Sequence, residues 1–412
     1  TGGTTKVVLY GKCLSNVYGG GQGPVGSKAA PSGTDVEIYG TVEYGDVFGG
    51  GISNKASSMD GTVYGNTAVN INKGAALIRV ISTGYVDGPK GFFGGTVYGG
   101  GDKAKVFGDT FVTVNSKIGT ENLGGLIFGG SKTKRSSATP TVVGTTHVTV
   151  NVAPYECTED TPWESWGTRY PGFTKKDIIS GVYGGGFNYG FEKGETTNTV
   201  VTINADMGNT PVYGGGMLNE INGNTQVIIN GKVNKVYGSG NGALLGTVKV
   251  YGNTSILVNG SGTIGTAYGY LNEDPKNPEE SNVEGTSTIT FDKNISSAVQ
   301  INNMSLVQIT NNSVVTIDNA KADNQQMVGV QNLTIDKNGK LTLLATAGIT
   351  GNYTGDGTGT LVVPALNSDI NKDDSIGRLN IAGTVTGITN ISIVDTDAVK
   401  AKVGQVYVKS AG

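Results

Sequence analysis

The sequence predicts an all-β protein whose short strands stack as a parallel β-helix, and three observations support this class. A marker made of an aliphatic residue, Tyr or Phe, and two or three small residues recurs along the first two thirds of the chain. Its aromatic residues are Tyr18, Phe48, Tyr98, Phe128, Tyr183, Tyr213, Tyr237 and Tyr268. From 18 to 48, 98 to 128 and 183 to 213 the step is 30 residues, which is typical of a repeat architecture. Segments between the markers alternate apolar and polar residues, and no stretch keeps a helical period.

Each repeat begins with a corner followed by a strand. The corner reads Gly, then Asn, Asp or Thr, then Thr, as in Gly65-Asn66-Thr67 and Gly252-Asn253-Thr254. An alternating segment follows, such as Val69-Asn70-Ile71 or Val112-Thr113-Val114, and predicts a strand with one buried face. Gly, Asn and Asp accept a positive φ at such a corner, and equivalent Asn or Thr side chains of stacked coils can hydrogen-bond to one another.

The marker itself has two interpretations. Tyr and Phe exchange freely at its second position, so the ring is required and the hydroxyl is dispensable. The favoured interpretation is a stack of rings that pack on one another from coil to coil. The alternative is an outward stripe of aromatics that holds sugar rings. Alternation along the strand places the aliphatic residue and the ring on opposite faces of the wall.

Insertions interrupt the repeat and suggest a division of the chain. The stretches 75–95 and 154–176 lengthen two steps, and 271–284 is a polar, Pro-bearing loop. We therefore expect a marker-bearing β-helix over 1–271 and a continuation with plainer coils over 272–412. Asn-rich turns such as Asn302-Asn303 and Asn311-Asn312 separate the later strands, and Gly404–Lys409 is predicted to form a closing strand that covers the open edge.

Composition excludes several function classes. Only 15% of residues are charged, the net charge is −3, and no basic stripe suited to nucleic acid is present. No apolar run is long enough to span a membrane. With one His and two Cys, we expect no metal, no cofactor and two free thiols at Cys13 and Cys157. The chain opens on Thr1, as a mature form or a fragment of a larger protein does, and we expect it to be monomeric.

A resemblance to a known family follows from the repeat unit. The pattern Gly-Asn-Thr-x-Val-x-Ile followed by Val-Tyr-Gly-Gly-Gly resembles repeats in large cell-surface proteins of Gram-positive gut bacteria. These look like right-handed, single-stranded β-helices of the pectin-lyase type. The resemblance covers residues 1–270 well and the remainder only as a generic β-helix. It implies a secreted or surface-attached, often adhesive protein, although no wall-sorting motif is present.

The sequence is compatible with three functions. The first is an adhesin region that binds a glycan, a polysaccharide or an extracellular protein. The second is a polysaccharide lyase or glycoside hydrolase, which needs clustered carboxylates with a base or Ca²⁺. Acidic residues are spread thinly along the marker-bearing part, and the single His147 offers little for catalysis, so a non-enzymatic protein is favoured. The third is a passive structural stalk.

The insertion at 154–176 is the strongest candidate binding site. It holds both tryptophans, and loops on a rigid scaffold often carry recognition. The predicted ligand-binding residues are Trp163, Trp166, Tyr155, Tyr170 and Arg169, with Glu156 and Glu159 nearby. The alternative is that these aromatics fold back and pack on the wall.

Two short charged segments, one acidic and one basic, are interpreted as exposed loops or turns rather than as binding sites. The Asp369, Asn371 and Asp373 pattern resembles a Ca²⁺ loop, but Asp374 and Asn380 replace the Gly and the carboxylate that such a loop needs, which favours a solvated loop. The basic run from Lys132 to Arg135 is interpreted as an exposed turn, with contact to an anionic glycan as the alternative.

Overall fold

A computed structural model of the chain shows an all-β protein built from long parallel sheets, as a parallel β-helix has. It describes residues 3–21, 32–53, 61–81, 92–121, 123–134, 142–157, 162–165, 168–174, 180–189, 196–241, 249–270, 282–317, 327–344, 346–364 and 378–394. Over these ranges no helix occurs, and hence none that is long and apolar enough to cross a membrane. Two compact units are present, Thr1–Val258 with Gly262–Thr288, and Asn259–Ser261 with Ile289–Gly412.

Three walls make up the coils of the first unit. The long-strand wall contains Thr4–Leu9, Gly33–Ile38, Thr67–Ile71, Thr110–Val114, Val142–Val150, Thr196–Ile203, Thr225–Ile229 and Thr254–Asn259. The marker wall contains Val17–Tyr18, Val47–Phe48, Thr96–Tyr98, Leu126–Phe128, Gly181–Tyr183, Val212–Tyr213, Lys232–Tyr237 and Thr263–Tyr268. A short third wall contains Lys12–Cys13, Thr41–Glu43 and Ala76–Ile78. Outside the walls lie a parallel pair, Lys132–Lys134 with Phe187–Tyr189, and two antiparallel pairs, Val80–Ile81 with Phe92–Phe93 and Pro162–Ser165 with Thr168–Thr174.

The second unit continues with plainer strands. They are Ser287–Asp292, Ser296–Ala298, Gln300–Asn302, Leu306–Ile309, Val314–Ile317, Met327–Val328, Asn332–Ile335, Lys340–Leu343, Thr346–Ile349, Tyr353–Pro364, Arg378–Ile381 and Val385–Val394. The predicted Asn-rich turns are confirmed, because Asn303, Asn311 and Asn312 have left-handed φ values of 56°, 50° and 61°. The proposed closing strand at 404–409 lies outside the described residues.

Alternation along the long strands produces the main core. Val69, Val112 and Val148 occupy one register position in three successive coils, and each is at most 1% exposed. Their neighbours on the outer face alternate with them, as the sequence predicts. Burial of one such aliphatic side chain stabilises the fold by about 1.5–3 kcal/mol, so a column of them contributes strongly to the wall's stability.

Two polar ladders join the corners of successive coils, as the corner motif predicts. Inside the core, a Thr Oγ1 from each of six long strands donates to a marker glycine carbonyl at 2.5–2.6 Å. The donors are Thr34, Thr67, Thr110, Thr146, Thr199 and Thr225. Outside, Oδ1 of Asn224 accepts the Asn253 amide at 2.8 Å, and Oδ1 of Asn253 accepts the Thr286 amide at 2.9 Å.

The corner glycines have a different role from the one expected. A positive φ is absent from both the marker glycines and the glycines of the Gly-Asn-Thr corners. They are needed instead because the backbone of a neighbouring coil lies so close. A Cβ on Gly50 would lie 2.8 Å from the amide nitrogen of Gly101, and one on Gly130 would lie 2.6 Å from that of Gly186. Coil spacing, rather than turn conformation, therefore selects glycine here.

Candidate functional site

The marker aromatics form one continuous stack, here named the aromatic ladder. Seven successive ring pairs, from Tyr18–Phe48 to Tyr237–Tyr268, have centroids 4.6–5.0 Å apart and planes within 12° of parallel. The five rings from Phe48 to Tyr213 are at most 5% exposed. The stacking interpretation is thus confirmed, and the alternative of an outward sugar-binding stripe is wrong for this position.

The ladder is buried because both faces of the marker strands are covered by other side chains. Val97 and Tyr98 are adjacent and point to opposite faces, yet both are buried. A second parallel column covers the ring side, and we call it the cover column. Its members are Ile52, Asp102, Lys132, Phe187, Met217 and Asn241, which pair in that order along the stack. The sequence signal was available, since each of these residues lies four positions after a marker ring.

At one end of the ladder, beyond the fourth coil, the cover is mostly apolar, and its one polar member there, Asn241, donates from Nδ2 to the hydroxyls of Tyr183 and Tyr213 at 3.5 and 3.4 Å. Phe187 and Met217 pack against the rings of Phe128, Tyr183 and Tyr213, and the Phe128–Phe187 centroids are 5.7 Å apart. Cys157, from the start of the second insertion, joins the same cluster and is 6% exposed. Both cysteines are free thiols, as expected.

At the other end the cover is charged. Lys132 Nζ lies 2.7 Å from Asp46 Oδ2, and it also lies 5.7 and 5.5 Å from the ring centroids of Phe48 and Tyr98. Asp46 is 7% exposed, and its Oδ1 has no hydrogen-bond donor among the described residues. The prediction of an exposed turn at Lys132 was wrong. Lys132–Lys134 is a strand, and the lysine stem extends back along the ladder from the fourth coil to the second.

Hydrogen bonds and a buried guanidinium extend this charged end. The Tyr18 hydroxyl donates to Asp102 Oδ2 at 3.4 Å and accepts from Asn16 Nδ2 at 2.8 Å. Arg79, 4% exposed, donates from Nε to the Gly94 carbonyl and from Nη2 to Thr96 Oγ1. Four charged side chains are thus collected around three rings.

The electrostatics of this end follow from burial and pairing. Burial opposes the charge on Lys132, but the oxygens of Tyr98 and Asp46 outweigh it and hold the pKa of Lys132 above its ordinary value. Burial lowers the pKa of Arg79 despite the attraction of Asp46. Burial likewise raises the pKa of Tyr18, to about 12. At neutral pH the lysine is therefore an ammonium ion and Tyr18 is a neutral phenol.

The second insertion is attached to the solenoid at its root, here residues 154–157. The Tyr155 amide donates to the Ile118 carbonyl at 2.9 Å, and Lys117 Nζ lies 4.9 Å from the Tyr155 ring centroid. The Glu156 carboxylate accepts from the backbone amide of Asn209 at 3.0 Å and from its Nδ2 at 3.2 Å. Together with buried Cys157, these contacts fix the direction in which the insertion leaves the wall.

Beyond the root the chain forms an antiparallel hairpin, Pro162–Ser165 with Thr168–Thr174. Trp163 lies on its first strand, while Arg169 and Tyr170 lie on its second, so the structure brings three of the five predicted residues onto one hairpin. Trp166 lies outside the described residues. Tyr155 is placed at the root instead, where its ring contacts Lys117. The ligand-binding role of all five residues stays a prediction.

Within the described ranges, no group of three or more His, Cys, Asp or Glu could hold a metal ion. The Asp369–Asp374 run lies outside those ranges. No protein-family model, curated protein or solved structure matches this chain. The class that fold and site define is therefore a parallel β-helix with a rooted hairpin insertion.

Proposed function

We propose that this chain is the ligand-binding region of a bacterial surface or secreted adhesin, and that it binds a glycan or an extracellular polymer through the hairpin at 162–174. The observation that carries the proposal is the contrast in backbone direction. The coils around the insertion pair in parallel and in register, whereas the hairpin pairs with itself in antiparallel. It is a separate structural element that leaves the solenoid at the root.

Physical chemistry favours recognition at such an element. A loop on a rigid scaffold loses little conformational entropy on binding, because the scaffold has already fixed its ends. Trp and Tyr supply large contact area with few rotatable bonds, and Arg adds a planar donor set for carboxylates and hydroxyls. The hairpin strands carry Trp163, Arg169 and Tyr170 within a short segment.

A solenoid face provides a second surface for the same function. On the outer side of the long-strand wall, the rings of Phe111 and His147 stack with centroids 4.8 Å apart and planes 4° from parallel. Phe111 is 38% exposed. These rings come from neighbouring coils, so a polymer that runs along the solenoid axis could contact both of them.

A ligand screen with matched variants tests this function. The intact chain would be applied to arrays of glycans and extracellular-matrix proteins. It would be compared with a variant in which a Gly-Ser linker replaces 159–176 and leaves the root intact. We expect binding that Trp163→Ala weakens by at least tenfold and linker replacement abolishes, whereas Tyr64→Ala, an exposed ring elsewhere on the solenoid, leaves binding unchanged. Equal binding by the intact and linker proteins would contradict a role for the hairpin.

A passive stalk is the second candidate, and the ladders favour it. The Thr, Asn and aromatic ladders join every coil of the first unit to the next, which suits a rigid spacer. A stalk predicts no ligand on any array and unchanged attachment of whole cells after linker replacement. The same pair of proteins therefore distinguishes the two functions.

A further inference from the structure

The charged end of the aromatic ladder places an amine and a carboxylate where they can react with each other. Lys132 Nζ and Asp46 Oδ2 are 2.7 Å apart, although the two residues are separated by 86 positions in sequence. The carboxylate is held firmly, because Asp46 is 7% exposed and its backbone amide donates to Asn16 Oδ1 at 2.8 Å. The amine is held by the rings of Phe48 and Tyr98 beneath it.

We propose that Lys132 and Asp46 form an intramolecular amide cross-link that joins the fourth coil to the second. The Nζ lone pair attacks Cγ of Asp46 to form the C–N bond, and one carboxylate oxygen leaves. The two protons that Nζ loses depart with that oxygen as one molecule of water. An ammonium and a carboxylate thus become a neutral amide plus water, and no oxidant, reductant or cofactor is consumed.

The surroundings favour the amide over the ion pair. A buried ion pair is stabilising only when its remaining hydrogen-bonding capacity is satisfied, and Oδ1 of Asp46 has no donor among the described residues. Conversion to an amide removes both charges from a site walled by aromatic rings. Well-oriented groups held this close react as if at effective concentrations of about 10⁵–10⁸ M, which lowers the barrier to amide formation.

The site also provides a path for protons and water. Asp102 pairs with Lys132 through the backbone in the cover column, and its carboxylate, which acts on the amine through charge, supplies a further acidic group at this end that can exchange protons during the reaction. The Lys132 side chain is 28% exposed, which leaves a route by which water escapes. Because the resting pair is charged, transfer of a proton from Nζ to the carboxylate must come first, and the reaction is expected to be slow.

Two ion pairs elsewhere among the described residues lack this arrangement and serve as comparisons. Lys232 and Asp206 approach to 3.5 Å, but their side chains are 63% and 60% exposed. Lys12 and Glu43 form a pair in which the lysine is 58% exposed. Water surrounds these ammonium groups, so charge is not disfavoured and no cross-link is expected.

Intact-mass measurement on the full chain tests the proposal. After incubation at neutral pH and then complete denaturation, the mass should fall below the sequence mass by one water molecule. Digestion should release one branched peptide that contains both Asp46 and Lys132. Lys132→Arg, which keeps a cation but cannot form this amide, should retain the full sequence mass, and Lys232→Arg should still lose the water.

Cyclisation at an Asp-Gly pair also releases water, and this chain has Asp60-Gly61, Asp87-Gly88 and Asp356-Gly357. Such a loss would persist in Lys132→Arg and would give no branched peptide, so that outcome overturns the proposal. A full sequence mass in the folded wild-type chain after prolonged incubation overturns it as well. Neither result depends on whether a variant at Asp46 folds.

Discussion

The two ends of the aromatic ladder solve one packing problem in different ways. Phe128, Tyr183 and Tyr213 are covered by apolar side chains, whereas Tyr18, Phe48 and Tyr98 are covered by an ion pair and a second carboxylate. Ring spacing barely changes, at 4.8–4.9 Å for the first two pairs and 4.7–4.8 Å for the pairs on either side of Tyr183. Backbone repetition therefore sets the stack, and the cover column is free to vary in chemistry.

Because the chemistry of the cover column varies, we expect the cover to contribute differently to stability at the two ends of the aromatic ladder. A mostly apolar cover stabilises mainly by burial, which is close to additive and insensitive to pH. A charged cover contributes only while its partners are matched, because an unpaired buried charge costs several kcal/mol. Substitutions at each end should therefore differ in size, in coupling and in response to pH.

The largest effect is expected at the apolar end. Tyr183→Ala removes a ring that is 0% exposed and stacks on two neighbours, so it should lower the free energy of unfolding by about 3–5 kcal/mol. Chemical denaturation followed by far-ultraviolet circular dichroism measures this loss. Tyr183→Phe keeps the ring and should cost less than about 1.5 kcal/mol. Equal losses for the two variants would show that the hydroxyl, rather than stacking, is what the site requires.

At the charged end the informative change is Asp46→Ala. Compared with a wild-type chain in which the cross-link has not yet formed, it leaves the Lys132 ammonium over two rings without its partner and should cost about 1–3 kcal/mol. We place the cost below that of a fully buried pair because 28% of the lysine side chain remains exposed. Adding Lys132→Met should restore part of the loss, since the unpaired charge is removed, and a double-mutant cycle measures the coupling. A double variant less stable than Asp46→Ala would show that the lysine acts through packing rather than charge.

Loss of a Thr hydrogen bond should lower stability equally at the two ends of the aromatic ladder, so such substitutions serve as a control. Thr67→Val near the charged end and Thr146→Val near the apolar end each delete a hydrogen bond of 2.5–2.6 Å to a glycine carbonyl while keeping the shape of the side chain. Each should cost about 1 kcal/mol. Thermal unfolding of the two variants would be compared. A difference of more than about 1 kcal/mol would mean that the cover column influences the interior ladder too.

Much of this architecture could be predicted from sequence, and the reasons are local. Val69, Val112 and Val148 each begin an alternating segment of similar composition, so the parallel wall follows from period and spacing. The exchange of Tyr98 for Phe128 at the marker predicts the stack for the same reason. A repeated motif indicates the same structure many times, so a misleading residue in one copy does not change the prediction.

The charged end could not be predicted because its arrangement of side chains is not repeated from coil to coil. Lys132 belongs to a basic run that usually forms an exposed turn, and only the stacking register aligns it with Asp102 and brings its amine to Asp46. Pairing over 86 positions depends on how many residues each intervening coil contains, and the insertions obscure that number. Similarly, composition suggested that the 154–176 segment binds, but it could not show that Glu156 contacts Asn209 of the next coil.

Substitution of Tyr18 by Phe is expected to change the free energy of unfolding least at neutral pH and progressively more at alkaline pH. Burial raises its pKa from 10.0 to about 12, so between these values the unfolded chain loses the phenolic proton and the folded chain keeps it. The unfolded state then binds fewer protons, and stability must fall as the pH rises through this window. The raised pKa of Lys132 acts in the same direction. Tyr18→Phe should therefore match the wild type at pH 7 and unfold at a higher pH, as followed by intrinsic fluorescence.

Tyr268→Phe, at the other end of the ladder, is the matched control, because burial raises the pKa of Tyr268 without a charged cover. If Tyr268→Phe shifts the alkaline midpoint as far as Tyr18→Phe does, burial of the phenol alone explains the sensitivity, and the two ends do not differ in this respect.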